Sequence, residues 1–193
     1  MKFSKIRTIN WILAACIIAI NCYIILVPFW PTLQFWIDQN NTHEDLTEAV
    51  EAVKPTKIYK DNTIVIPRMR LSEKIHEGTD IAVVNKGVWR RPGSSDPTKD
   101  SNTVLAGHRF TYKDPKGVFY HLDKLKTGDK LSIFWDKQRY TYQVESIKTV
   151  AASASEVEAE SPEPLLTLYT CTPLWNAKDR LVVTAKLIEE PTE

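Results

Sequence analysis

Residues 165–188 read LLTLYTCTPLWNAKDRLVVTAKLI. Leu165 to Thr170 and Arg180 to Ile188 are rich in apolar and β-branched residues and read as two strands joined by the Thr172–Asp179 loop. If the two pair antiparallel, the end of the first lies beside the start of the second. Cys171 and Arg180 then meet at one rim of a sheet.

The same texture runs back to Asn62. Thr63–Ile66 is a strand stopped by Pro67, and Ile81–Val84 reads as another. Asn85 to Asp100 is rich in Gly, Pro, Ser and Asp and reads as loop. Asn102 to His108 reads as a strand ending at His108, and Val118 to Leu125 as a short helix. Leu131, Ile133 and Trp135 alternate, a turn follows, and Tyr140, Tyr142 and Val144 alternate again, which is a hairpin. Ala151 to Pro164 is an acidic loop with Glu156, Glu158, Glu160 and Glu163. Residues 62–193 therefore predict a mainly β domain of seven or eight short strands with one or two small helices, an antiparallel barrel or sandwich. There is no internal repeat and no glycine-rich phosphate loop.

Upstream the texture changes. Trp11 to Trp30 reads WILAACIIAINCYIILVPFW, within thirty residues that carry no formal charge. Twenty helical residues span about 30 Å, the thickness of the bilayer hydrocarbon. Lys2, Lys5 and Arg7 predict a cytoplasmic N-terminus over residues 1–10, and Trp11 and Trp30 fit interfacial positions. The bulky Val27-Pro28-Phe29-Trp30-Pro31 lacks the small residues of a cleavage site, so 11–30 reads as an uncleaved, single-pass signal anchor. Residues 31–61 read as a tether whose Leu46, Val50 and Val53 form the apolar face of a short helix. The domain beyond is expected outside the cytoplasm.

The whole chain of 193 residues is 43% hydrophobic, enough to bury a core, and its formal charge is +1. Without the first ten residues, 22 basic residues face 24 acidic ones, which argues against a nucleic-acid partner. Cys16 and Cys22 fall in the apolar span, leaving Cys171 as a lone outer cysteine without a disulfide partner. A lone thiol outside the cytoplasm invites a chemical role. Only a small fraction of an unperturbed thiol is ionised near neutral pH, and a nearby cation favours the thiolate. His108 can carry a proton to a leaving amine. Arg180 stays charged, so its natural task is to hold a carbonyl and stabilise an oxyanion. That set is equipment for acyl transfer, provided the strand end at His108 reaches the same rim.

These residues resemble a family, the sortases, which are membrane-anchored cysteine transpeptidases. Thr167-Leu168-Tyr169-Thr170-Cys171 matches the signature T-L-x-T-C. Asn102 to Arg109 is similar to the strand carrying the family's catalytic histidine, and Arg180-Leu181-Val182-Val183 to the strand carrying its arginine. Phe119, Leu122, Leu125 and Gly128-Asp129 fit a further F-x-x-L-x-x-L-x-x-G-D stretch.

The resemblance implies an eight-stranded sortase β-barrel with catalytic His108, Cys171 and Arg180, and with Ala106, Tyr169 and Thr170 in the peptide groove. It also implies cleavage of an LPXTG-like or LAXTG sorting signal between Thr and Gly, through a thioacyl intermediate on Cys171. The implied partners are surface proteins bearing that signal and an amine of a cell-wall precursor or a pilin. The anchor and the AGHR segment look like classes D and E, while Cys171-Thr172-Pro173 resembles pilus-type members. No cofactor is expected. Ca²⁺ at residues 156–163 is the alternative, set against a solvated acidic face that lacks a complementary carboxylate cluster. A competing reading for the domain is a non-catalytic anchored binding or scaffold module.

Overall fold

The computed structural model describes residues 2–41, 62–111, 113 and 117–189. They fall into two units divided at Asn40 and Asn41. In the first unit, helix α1 spans Lys2–Leu26, a 3₁₀ turn covers Val27–Phe29, and helix α2 spans Trp30–Asn41. Residues 6–26 are exposed all round, as suits a helix surrounded by lipid rather than by protein. Asn21, the one strongly polar side chain of the apolar run, donates Nδ2 to the Ile17 carbonyl at 2.8 Å, which satisfies it within its own helix.

Ile6–Ile37 is long and apolar enough to cross a membrane. Its 32 residues make about 48 Å of helix against roughly 30 Å of hydrocarbon. The helix therefore outruns the expected 11–30 span. Pro28 breaks α1 without ending the helical course, because Pro31 enters α2 in its first turn, where a missing N–H is tolerated. The expected helix bearing Leu46, Val50 and Val53 lies outside the described residues.

The second unit is a closed eight-stranded barrel, as the resemblance implied. Its strands are β1 Thr63–Ile66, β2 Leu71–His76, β3 Val88–Arg90, β4 Asn102–Ala106, β5 Lys130–Trp135, β6 Gln138–Ala151, β7 Leu165–Thr172 and β8 Asp179–Glu189. Around the barrel the order is β1-β2-β3-β4-β7-β8-β6-β5, closed by β5 against β1. Two neighbours run parallel, β2 with β3 and β4 with β7, and the rest antiparallel. The β5–β6 hairpin turns on Asp136 and Lys137, both at positive φ, the two-residue geometry that matches strand twist.

The core follows the two-residue period. On β7, Leu166, Leu168 and Thr170 point inward, with Leu166 and Leu168 fully buried; Thr167, Tyr169 and Cys171 occupy the outer face. Phe119 and Leu122 plug the interior beside Leu105, Ile133 and Val183.

Three expectations need correction. Ile81–Val84 is not a strand; Ile81–Lys86 is a 3₁₀ turn capped by Asp80, whose side chain accepts from the Ala82 N–H at 2.8 Å. Only Val83 of that turn is buried, so the apolar run lacks the alternating burial of a strand. The expected loop 85–100 contains β3, where Val88 and Trp89 are buried. The expected 118–125 helix is a chain of turns with a single 3₁₀ turn at Leu122–Lys124.

Candidate active site

The antiparallel register of β7 on β8 places Cys171 directly opposite Arg180, with Tyr169 opposite Val182 and Thr167 opposite Thr184. Paired residues share a face, so Cys171 and Arg180 lie together on the outer side at one rim. Cys171 is unpaired and half-buried.

His108 arrives from the other side of β7. The parallel ladder ends with Ala106 opposite Tyr169. Two residues further along each strand come His108 and Cys171. Contacts bracket this pair: the Gly107 N–H donates to the Tyr169 carbonyl at 3.3 Å, Thr170 Oγ1 to the Gly107 carbonyl at 2.7 Å, and Arg109 Nη1 to Thr172 Oγ1 at 2.8 Å. The structure thus brings His108, Cys171 and Arg180 to the ends of three adjacent strands.

The groove residues divide. Tyr169 shares the outer face with Cys171. Ala106 is buried beside Val83 and Trp89. Thr170 is buried and turned inward, its hydroxyl committed to the Gly107 carbonyl.

Close packing holds the His108 backbone. Its carbonyl accepts from the Phe119 N–H at 2.9 Å. A Cβ on Gly117 would lie 2.5 Å from the His108 carbonyl oxygen and 2.8 Å from the Arg109 carbonyl. Both are backbone atoms and cannot swing aside. Gly117→Ala is therefore expected to destabilise the fold by about 1–3 kcal/mol, read from the urea midpoint, and to displace His108.

The imidazole is also held. His108 Nε2 lies 3.0 Å from Asn85 Oδ1, so with the amide oxygen accepting, Nε2 carries the proton. Arg180 directs Nη1 at its own loop, donating to the Ala177 carbonyl at 3.1 Å and the Asp179 carbonyl at 3.0 Å.

Behind the rim, a groove of about 280 Å³ runs along the same outer face. Thr167, Val182 and Thr184 form its floor, and Val157, Ala159 and Pro162 of the β6–β7 loop form its wall. Thr167 precedes Cys171 by four residues, about 13 Å along the strand. The loop is tied down: Asn102 Nδ2 donates to the carbonyls of Val157 (3.3 Å) and Ala159 (3.0 Å), and Thr167 Oγ1 to Asn102 Oδ1 (2.8 Å). Glu158 is only partly exposed, and its carboxylate is paired. Its Oε1 accepts from Tyr169 Oη at 2.6 Å and Arg91 Nε at 2.8 Å, while the Arg91 guanidinium lies 4.5 Å from the Trp89 ring centroid. Burial raises the Tyr169 pKa and the Glu158 hydrogen bond raises it further, against a smaller pull downward from Arg91 and Arg180, so the phenol stays a donor. Among the described residues no group of three or more His, Cys, Asp or Glu is arranged to hold a metal ion.

Asn85, Arg91, Arg109, Gly117, Asp123 and Glu158 were not singled out from sequence as parts of this site. Gly117, Arg109 and Asp123 carry the available hint, by lying close in the chain to His108 or within the F-x-x-L stretch.

The sortase domain family matches residues 64–188. Sortase D of Bacillus subtilis is 28% identical over 154 residues, covering 78% of this chain and 74% of that protein. Sortase SrtE1 of Streptomyces coelicolor is 34% identical over 102 residues, covering 48% of this chain; the chain spans only 28% of that protein's length. Among solved structures, the pilus-related sortase C of Group B Streptococcus superposes with a TM-score of 0.62 at 32% identity, covering 68% of each chain. With the family match running from β1 into β8 and the barrel superposing on a solved member, this chain belongs to the sortase family.

Proposed function

We propose that the chain is a membrane-anchored cysteine transpeptidase that cleaves a sorting signal of the LPXTG or LAXTG kind between Thr and Gly. The observation that carries this reading is the Cys171–Arg180 register pair with His108 on the neighbouring strand end, above a groove on the same face. Cys171 passes its thiol proton to His108, its Sγ attacks the threonine carbonyl, and the oxyanion forms beside Arg180. As the C–N bond breaks, His108 gives its proton to the departing glycine amine, leaving a thioester on Cys171. An amine from a cell-wall precursor or a pilin then attacks the thioester, His108 takes the proton, and the thiolate departs. The reaction draws on side chains alone. Residues 11–30 anchor the chain, with the N-terminus cytoplasmic, residues 31–61 as a tether and the barrel outside.

The test uses the full chain in detergent micelles with peptides Leu-X-Glu-Thr-Gly varied at X, triglycine as acceptor and mass spectrometric readout. Cleavage after Thr with a Thr-triglycine product is expected. No cleavage of any peptide, or cleavage elsewhere, overturns the reading.

The Glu158 contacts give a separate expectation. Tyr169→Phe and Glu158→Gln each loosen the groove wall while leaving the rim intact. Each should raise KM about five- to tenfold with kcat nearly unchanged, the pattern for lost ground-state binding. Steady-state kinetics on the best peptide checks this.

A further inference from the structure

The β4–β7 ladder stops at Ala106 and Tyr169, short of the residues proposed to react. Beyond it no ladder pairing fixes the spacing between His108 and Cys171. On the far side of this pair, the bond from Arg109 Nη1 to Thr172 Oγ1 joins one strand end to the other. Arg109 immediately follows His108, and Thr172 immediately follows Cys171.

Arg109 is no ordinary surface cation. Its side chain is only 13% exposed, and its Nε is buried with no hydrogen-bond partner among the described residues. Burying a guanidinium this far is unfavourable unless it is held on specific partners. Nη1 has Thr172, and Nη2 has the Asp123 carboxylate at 3.5 Å. Asp123 stands on the Leu122–Lys124 turn, whose Leu122 is fully buried in the core. A continuous line of contacts thus runs from the core through Asp123 and Arg109 to Thr172, the residue bonded to Cys171.

We propose that Arg109 is a positioning residue: held by Asp123, it grips Thr172 and sets the spacing between His108 and Cys171. It does not touch substrate; it acts through the two chain segments it joins. The proposal rests on the transpeptidase reading above.

The test is steady-state kinetics of the full chain in detergent micelles, with triglycine and whichever of Leu-Pro-Glu-Thr-Gly and Leu-Ala-Glu-Thr-Gly it cleaves faster. Thr172→Val keeps the volume and removes the acceptor; Thr172→Ser keeps the acceptor. Thr172→Val and Arg109→Gln are each expected to lower kcat about ten- to a hundredfold. Their KM should stay within about twofold of the parent value. Thr172→Ser should return kcat to within about threefold of the parent, and the double variant Arg109→Gln/Thr172→Val should be no worse than the poorer single one.

The proposal is overturned by a parent-like kcat in Thr172→Val, by equal loss in Thr172→Ser and Thr172→Val, by a change confined to KM, or by losses that multiply in the double variant. If Arg109→Gln does not fold, the Val and Ser variants at Thr172 decide alone. Two controls separate this failure from failure of the premise. Absence of cleavage by the parent, or cleavage by Cys171→Ala, removes the transpeptidase reading and this proposal with it. An active parent, an inactive Cys171→Ala and an unimpaired Thr172→Val remove the positioning role alone.

Discussion

Cys171→Ala is expected to lower kcat on the order of 10⁴-fold or more, to background, while the thermal melting curve stays where it was. Both halves follow from where the side chain lies. Cys171 is half-buried on the outer face of β7, and the inward side chains Leu168 and Thr170 of that strand are untouched. Removing one sulfur there leaves no core cavity, so the change in stability should stay within about 0.5 kcal/mol. The chemistry has no such tolerance. The neighbouring groups are poor substitutes: His108 is engaged by Asn85, and the Thr172 hydroxyl, held by Arg109, is a far weaker nucleophile than a thiol. A thioester trapped on the parent should appear in mass spectrometry as a peptide adduct at Cys171, and the variant should show none. Full turnover by Cys171→Ala would favour the scaffold reading, in which the observed cleavage belongs to a contaminant.

The fold and the site were legible in sequence to different depths, and the difference is physical. Strand–turn–strand units announce themselves because their partners are local. The β5–β6 hairpin was readable from alternation around a short turn. The Cys171–Arg180 pairing was readable because eight residues separate the two. Strand β2 gave no signal, since Ile75 is its only fully buried residue and no alternation can form around one position. The Ile81–Val84 run gave a false one, because apolar residues left exposed in a 3₁₀ turn look like a buried strand until Asp80 is seen to cap them.

The placement of His108 depends on the parallel contact of β4 with β7, bridging 63 residues of chain. Nothing local encodes such a pairing, so periodicity is blind to it and only the motif resemblance points to it. The polar links were hidden for another reason. A glutamate or arginine in a loop has the same sequence whether it is solvated, as Glu158 was expected to be, or locked to Tyr169 and Arg91. Only tertiary structure distinguishes the two.

Arg180→Lys conserves charge and is nevertheless expected to lower kcat about 10²- to 10³-fold, the range for losing one oxyanion donor. Arg180 Nη1 is already occupied by the carbonyls of Ala177 and Asp179. Among the described residues its Nη2 and Nε have no recorded partner, so the planar fork can be anchored at one corner while the others face a developing negative charge across from Cys171. A lysine ammonium is a single point on a flexible stem. It can replace the anchor or the oxyanion contact, but it cannot reproduce both in the same fixed geometry. The deficit should therefore appear in the acylation step. Rapid-quench measurement of the first turnover should show the slow step moved to thioester formation, with peptide affinity little changed. If Arg180→Lys acylates at the parent rate, charge alone suffices and the fork geometry has no part in the chemistry. If Arg180→Gln is equally unimpaired, the residue is a rim cation, and the oxyanion must be held by backbone N–H groups of the neighbouring strand ends.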